Sequence, residues 1–264
     1  MMARSLSMAG MAVVIAASVG CVRVVPRSAG YGVSAVPLAP GSADVGLAMG
    51  GFYQQETSTP QGMGGTTSSS TTRQTQFPAF EANAQVGITE QVTLNLHTSP
   101  AGLQPGVKIL VLKDPVLVTV MPQLGGGLAN LGVSNTTVIG GSSTTTDLFG
   151  FNSFTLLGGV RALVSLPAGL YAGVGYDFQY YSQTTRDVPN GNTTTLTSQA
   201  HNVGAAVGYE IRIGSLALRP ELAVLFMPLS KNQSNANGTT SDQADTSGLF
   251  LFPNLTVAAV SPGK

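Results

Sequence analysis

The side chains of this sequence that could most readily take part in catalysis are those of two histidines, His97 and His201. Ser99 follows His97 by two residues, and Glu81 could approach His97 across a predicted tight turn at 87–90. An imidazole placed between a hydroxyl and a carboxylate is the arrangement that hydrolases use to activate a nucleophile. However, His97 is explained more simply as a polar residue facing inward, and serine is common in the segment that holds Ser99. We therefore predict that the protein is not an enzyme and has no catalytic residue, and we keep a hydrolase using His97 or His201 as an alternative.

Eight charged residues fall within the predicted strands beyond the first, and all of them lie on the polar face of their strand. They are Glu81, Lys108, Arg161, Asp177, Glu210, Arg212, Arg219 and Glu221. If Gly214-Ser215 is a two-residue turn, Glu210 lies opposite Arg219. A similar count across residues 167–169 brings Arg161 within diagonal reach of Asp177. The spacing predicts a network of paired charges whose main role is structural, with an ion-selectivity or proton path as the functional alternative.

The sequence contains no pattern typical of a cofactor or metal site. The glycines at 125–127 and 157–160 fall in predicted strands, and they lack the Lys-Ser/Thr ending and the following helix of a phosphate loop. No group of carboxylates has the spacing of a calcium loop. The single cysteine excludes a cysteine-based zinc cluster. We therefore predict neither a cofactor nor a metal.

The elements that position these residues are predicted from a period of two. In 170–181, Leu170, Val174 and Phe178 share one face, while Asp177 and Gln179 lie on the other. Such alternation is typical of β-strands that present different faces to different surroundings. Ten segments show it. They are 43–54, 76–86, 91–97, 107–112, 116–128, 153–166, 170–181, 202–213, 216–226 and 248–260.

The connections between these strands alternate between long and short. The long ones are rich in Ser, Thr, Asn and Gln and span 55–73, 130–148, 184–198 and 228–247, with 98–106 intermediate in length. The short ones lie at 87–90, 113–114, 167–169 and 214–215. Alternating long loops and short turns are typical of antiparallel barrels in outer membranes. An even number of strands places both chain ends on the side of the short turns.

The composition indicates which face of the strands meets lipid. Hydrophobic residues make up 43% of the chain and charged residues only 9%, whereas soluble domains carry roughly 25% charged residues. None of the eight strand charges lies on the Val/Leu/Ile/Ala/Phe face, where a charge would cost about 2–4 kcal/mol at the bilayer midplane. The apolar face is therefore predicted to face lipid and the polar face a narrow lumen. The 12 basic and 12 acidic residues cancel, which argues against nucleic acid as a partner.

The first residues are typical of an export signal. Arg4 precedes an apolar run over 6–19, which is too short to span a bilayer as a helix. The run ends in Ser18-Val19-Gly20-Cys21, which resembles the bacterial lipobox and implies a lipid attached to Cys21. The alternative is a simple secretory peptide in which Cys21 has no such role. We predict a signal peptide over 1–20, a Pro-rich periplasmic linker over 21–42 and a barrel over 43–260.

The stretch 84–127 carries a pattern found in a known group of proteins. Gly87-Ile88-Thr89-Glu90 ends one strand, and Val92, Leu94 and Leu96 alternate along the next. This pattern resembles small outer-membrane β-barrel proteins of Gram-negative bacteria, and the likeness extends more loosely over 43–260. The resemblance implies an outer-membrane location and contact with the barrel-assembly machinery. It implies no particular substrate.

These observations together predict an all-β protein with a closed antiparallel up-and-down transmembrane barrel of about ten strands. We expect a porin-like monomeric lipoprotein whose lumen holds paired charges and whose role is structural or that of a narrow pore. Its chain ends would be periplasmic, its Ser/Thr-rich loops extracellular, and outer-membrane lipid its surroundings. One alternative is the hydrolase described above. The other is a soluble exported β-barrel that binds an apolar ligand.

Overall fold

The chain forms one closed antiparallel β-barrel in a computed structural model. The structure describes residues 32–59, 70–99, 102–139, 142–187, 192–236, 239–242 and 245–261. Within them lie twelve strands, which are β1 (Ala43–Thr59), β2 (Ser70–Gly87), β3 (Val92–Ser99), β4 (Gly102–Leu112), β5 (Leu117–Ile139), β6 (Ser142–Ser165), β7 (Leu170–Asp187), β8 (Asn192–Tyr209), β9 (Ile211–Ile213), β10 (Leu216–Ala236), β11 (Thr239–Asp242) and β12 (Asp245–Ser261). No helix among the described residues is long and apolar enough to cross a bilayer.

Ten of these strands form the wall of the barrel. Each pairs antiparallel with its neighbour along the chain, and β1 closes the ring by pairing with β12 as well as β2. The short β9 continues the line of β8 beyond Glu210 and pairs with β10, and β11 also pairs with β10. The prediction of a closed barrel of about ten antiparallel strands is confirmed. Because Ala43 lies opposite Ser261, both ends of the wall lie at the same end of the barrel.

The short turns are observed, but the predicted long loops are strand wherever the structure describes them. In the segment 130–148, for example, Asn130 to Ile139 pair with Asn152 to Ser142 in a continuing antiparallel ladder. The 98–106 connection is likewise shortened, since β3 runs to Ser99 and β4 starts at Gly102. Composition alone suggested loops here. Extending each hairpin instead pairs the backbone N–H and C=O groups of these Ser/Thr-rich segments.

Burial along each strand confirms that the apolar face looks outward. On β8, Val203 is 53% exposed and Val207 is 48% exposed. On the neighbouring β10, Arg219 is fully buried and Glu221 is 5% exposed. This distribution is the reverse of that in a soluble barrel, and it matches a wall that faces acyl chains with its apolar side. Closing the sheet leaves the ring without an unpaired edge, as a lipid environment requires.

Residues 32–42, here named the inner segment, enter the barrel, with 32–35, 38 and 42 buried and Val36 and 39–41 exposed. Val33, Ser34 and Ala35 are at most 2% exposed, and Leu38 is 5% exposed. Part of the predicted Pro-rich linker therefore contacts the barrel interior. Proline at 37 and 40 prevents a regular strand, while small side chains let the chain fit within a narrow lumen. The predicted signal peptide, Cys21 and the rest of the linker lie outside the described residues.

Candidate functional site in the barrel interior

Arg219 organises one group of charges at the short-turn end of the lumen. Its Nη2 lies 2.5 Å from Oδ2 of Asp44, and its Nε lies 2.7 Å from Oε2 of Glu210. Glu210 also accepts a hydrogen bond from Nε of Arg212 at 2.5 Å. Arg212 lies at the rim, with 49% of its side chain exposed, whereas Arg219 and Asp44 are fully buried. The structure thus brings together three of the predicted residues and adds Asp44.

Arg161 and Asp177 form a second buried ion pair. Nη2 of Arg161 lies 2.6 Å from Oδ2 of Asp177, and both side chains are almost completely buried. Arg161 is paired with Gly175 across β6 and β7, and Asp177 with Gly159, so the two charged residues meet diagonally. The glycines leave the space that the two charged side chains need, and a Cβ at Gly175 would lie 3.1 Å from Cγ of Arg161. A Cβ at Gly159 would lie 2.3 Å from Oδ1 of Asp177.

Lys108 is fully buried and is held by uncharged oxygens. Its Nζ donates hydrogen bonds to the backbone oxygens of Ser34 at 2.8 Å and Val36 at 3.1 Å. A third bond goes to Oε1 of Gln85 at 2.6 Å. Two of the three acceptors of this ammonium therefore come from the inner segment. A buried cation is strongly destabilising unless its hydrogen bonds are satisfied, so Lys108 and the inner segment depend on one another.

Glu221 lies between the wall and the start of the inner segment. Its Oε2 accepts hydrogen bonds from the hydroxyl of Tyr171 at 3.1 Å and from the backbone N–H of Gly32 at 3.3 Å. The backbone oxygen of Gly32 in turn accepts a hydrogen bond from Nη1 of Arg219 at 3.3 Å. Charged side chains of β10 thus bind both backbone polar groups of Gly32.

The inner segment also has an apolar contact with the wall. Val33 and Ala35 form a buried cluster with Met121, Leu163 and Tyr171 from β5, β6 and β7. Further along, Leu38 donates its N–H to Oγ1 of Thr93, and Gly41 donates its N–H to the backbone oxygen of Gly87. The segment therefore crosses the lumen from β10 to β2.

His97 and Glu81 are close together inside the lumen. Nε2 of His97 lies 3.8 Å from Oε2 of Glu81, and the His97 side chain is fully buried. Asn83 is opposite His97 in the ladder between β2 and β3, which places Glu81 on the same inward face. Ser99 is also buried, at 8% exposure. A hydroxyl, an imidazole and a carboxylate therefore share one part of the interior.

His201 lies on the other side of the wall. It is exposed on the outer face of β8, where its Nδ1 lies 2.6 Å from the hydroxyl of Tyr176. Its ring centroid is 5.2 Å from that of Phe178. The structure thus places the two histidines on opposite faces of the sheet, and His201 belongs to an outward-facing aromatic group.

Farther from the inner segment, one wall of the interior is apolar. Its buried residues come from β8, β10 and β12. They are Ala200, Ala206, Ala223, Leu225, Met227, Phe250 and Phe252. The rings of Phe250 and Phe252 stack with their centroids 6.3 Å apart. These side chains fill part of the lumen, as expected for a barrel only slightly larger than the eight-stranded barrels whose interiors are filled by side chains.

Amide side chains on β2, β3 and β5 face the same interior. Asn95 and Gln123 are 4% and 5% exposed, and both polar atoms of each side chain have no hydrogen-bond partner among the described groups. Nε2 of Gln85 also has no hydrogen-bond partner among the described groups. The described residues contain no group of three or more His, Cys, Asp and Glu that could hold a metal. The interior is therefore polar on one side and apolar on the other.

Sequence reasoning missed Asp44, Tyr171 and the inner segment as parts of this site. Asp44 lies on the polar face of the first predicted strand, so the alternation already indicated that it points inward. Its partner Arg219 is 175 residues away in sequence, and only closure of the barrel brings the two together. The inner segment has no periodicity that could indicate burial.

In fold, the chain is similar to the outer membrane protease OmpT from Escherichia coli, with a TM-score of 0.52 and 10% sequence identity over 86% of this chain and 99% of that chain. The outer membrane protein OprG from Pseudomonas aeruginosa gives a TM-score of 0.34 with 10% identity over 84% of this chain and 97% of its own. A major outer membrane protein from Thermus thermophilus gives 0.35 with 12% identity over 80% and 99%. No family description and no curated protein sequence matches the chain.

At 10% identity, the similarity to OmpT concerns the fold alone. The similarities to OprG and to the Thermus thermophilus protein, with TM-scores below 0.5, support no further conclusion. The shared fold is a closed antiparallel β-barrel.

Proposed function

We propose that this protein is an integral outer-membrane barrel with a structural or narrow-pore role and a lumen lined with paired charges. The proposal is supported above all by the orientation of the wall side chains, because the apolar ones point outward and the charged ones point inward. Val203 and Val207 face outward, whereas Arg219 and Glu221 of the neighbouring strand face inward. An aqueous environment would favour the opposite arrangement, because buried charges are costly and exposed valines gain nothing. This inversion also argues against a soluble exported barrel that binds an apolar ligand.

The filled interior favours a structural role or a very narrow pore over a wide channel. The inner segment crosses one end of the lumen, and Leu225, Phe250 and Phe252 occupy the opposite part. Wide aqueous channels are found in barrels of 16 or more strands. With ten strands, this barrel can pass only small solutes, and only along its polar side.

The proposed orientation has both chain ends in the periplasm and the long hairpins outside the cell. It is supported by the position of Ala43 and Ser261 at the end that carries the short turns. Lipidation of Cys21 would then attach the chain to the periplasmic leaflet. Outer-membrane lipid and the barrel-assembly machinery are the partners that this proposal implies.

Fractionation of the mature protein tests the proposal. We expect partition into detergent and a shift in gel migration on heating, because a closed barrel stays folded in cold detergent. Protease added to intact cells should cut within the long hairpins and leave the short turns intact. A protein that stays in the soluble periplasmic fraction and shows no heat shift would contradict the proposal.

A hydrolase is the second candidate, and the contact between His97 and Glu81 at 3.8 Å favours it. Ser99 would be the nucleophile, and a substrate would have to enter from the long-hairpin end. A fluorophosphonate probe should then label the folded protein at Ser99 and fail to label His97→Ala. His201→Ala is the matched control, since His201 lies on the outer face. Absence of labelling in a protein with an intact heat shift would contradict this candidate alone.

A further inference from the structure

We propose that the inner segment is a plug that closes the short-turn mouth of the barrel, and that the barrel conducts small ions when this segment leaves its position. The inference rests on the proposed outer-membrane barrel and specifies how its lumen is regulated. It is carried by the contacts of the inner segment, the lumen amides that have no partner in the described part of the chain, and the charges around the mouth.

The inner segment can leave without disrupting the barrel wall. Most of its hydrogen bonds join its backbone to wall side chains: Lys108 and Thr119 donate to its carbonyl oxygens, and Glu221 accepts from the N–H of Gly32. Backbone contacts with the wall occur near its end, where Gly41 and Ser42 bind Gly87. The ladders between neighbouring strands do not involve residues 32–42. Release of the segment therefore removes no strand pairing from the ring.

The interior offers hydrogen-bonding groups that water could use after release. Asn95 and Gln123 present both donors and acceptors that have no partner among the described residues, and Asn202 presents such an acceptor. Each of these side chains is at least nine-tenths buried. An unsatisfied buried polar group is unfavourable, so hydration of these amides would offset part of the contacts that are lost with the inner segment. They extend the polar path inward from the mouth.

The charges around the mouth predict what such a path would conduct. Lys108, Arg212 and Arg219 are cations, and Asp44, Glu210 and Glu221 are anions, so the ring is balanced. A balanced ring in a narrow lumen favours small ions with weak selectivity between cations and anions.

A substitution at one glycine of the inner segment should displace that segment without changing any residue of the barrel wall. Gly32 has φ of +58°, and a Cβ there would lie 1.7 Å from Oγ1 of Thr256 on β12. Gly214 has φ of +62° in a turn at the same end of the barrel, and a Cβ there would meet nothing within 4 Å. Gly32→Ala and Gly214→Ala therefore impose the same backbone strain. Only Gly32→Ala pushes the inner segment away from the wall, and adding Thr256→Gly removes that collision.

Two measurements on the full chain test the proposal. The first is the rate at which a membrane-impermeant maleimide labels Ser34→Cys in a Cys21→Ser background, with exposed Ala39→Cys as the fast reference. The second is ion conductance in planar bilayers. We expect Ser34→Cys to label at least tenfold more slowly than Ala39→Cys in the parent chain. Gly32→Ala should raise both the labelling rate and the conductance at least tenfold, Gly214→Ala should change neither, and Thr256→Gly should reverse the effect of Gly32→Ala.

Several results would overturn the plug while leaving the barrel proposal intact. One is rapid labelling of Ser34→Cys in a parent chain that keeps its heat shift. Another is faster labelling in Gly32→Ala without a rise in conductance, and a third is an equal response to Gly32→Ala and Gly214→Ala. Loss of the heat shift in the parent chain would instead overturn both proposals.

Discussion

Arg161 and Asp177 form an ion pair between two strands, and each lies directly across the ladder from a glycine. Their charged atoms are 2.6 Å apart, and neither side chain is more than 6% exposed. Taking two charges out of water is unfavourable, and the attraction between them offsets this only while both are present. The pair therefore makes the stability of the barrel depend on both residues together.

Removal of one partner should cost far more than removal of both. We expect Asp177→Leu to lower the free energy of unfolding by about 3–5 kcal/mol, because it leaves a buried cation. The double variant Arg161→Met/Asp177→Leu should recover most of that loss. Arg212→Met is a control, and it should cost less than about 1 kcal/mol because Arg212 is half-exposed. The measurement is the urea midpoint of the heat-modifiable gel shift, since the chain has no tryptophan. A single variant as stable as the double would contradict the coupling.

Local spacing was sufficient to predict where some of these residues meet. A two-residue turn fixes the register of a hairpin, so counting from Gly214-Ser215 placed Ile213 opposite Leu216, which is observed. The same count predicted that Glu210 approaches Arg219. The inward or outward direction of each side chain also followed from the period of two. These features depend on neighbours in sequence, which is why they could be predicted.

Contacts made by closure and by irregular chain could not be predicted in this way. Asp44 reaches Arg219 only because β1 pairs with β12 at the seam of the ring. The inner segment is held by backbone groups that bind Lys108 and Glu221, and backbone groups carry no sequence signal. Ser/Thr-rich composition suggested loops at 130–148, where the register of β5 and β6 continues instead.

Lys108 should control how firmly the inner segment is held. We expect Lys108→Met to speed maleimide labelling of Ser34→Cys by roughly tenfold or more, because it removes charged hydrogen bonds each worth about 1.5–3 kcal/mol and 1.4 kcal/mol corresponds to tenfold. Lys113→Met is the matched control, since Lys113 is exposed in the turn after β4. It should leave the labelling rate unchanged. Equal labelling in Lys108→Met and the parent chain would show that the carbonyl contacts of Lys108 do not hold the segment.

The outward face of the barrel wall should tolerate a charged side chain only near the interface between the bilayer and water. Val203 and Gln199 both face outward on β8, with Gln199 nearer the long-hairpin end. We expect Val203→Arg to lower the free energy of unfolding in lipid vesicles by about 2–4 kcal/mol and Gln199→Arg by about 0–1 kcal/mol. The physical reason is that a charge at the bilayer midplane loses its hydration, while one at the interface keeps it. Equal effects of the two variants would contradict the proposed position of the lipid layer.

Substitutions at two glycines test whether side chains are packed more tightly on the inner face of the barrel than on its outer face. A Cβ at Gly208 would lie 2.2 Å from Cζ of Tyr171, whose hydroxyl binds Glu221. A Cβ at Gly158 would have only Cδ1 of Leu124 near it, at 3.7 Å. We expect Gly208→Ala to lower the free energy of unfolding by about 1–3 kcal/mol, because the ring must move within a filled lumen. Gly158→Ala should raise it by up to about 1 kcal/mol, because alanine loses less backbone entropy on folding than glycine. Urea midpoints of the gel shift measure both, and a loss from Gly158→Ala as large as that from Gly208→Ala would mean that the outer face is packed as tightly as the lumen.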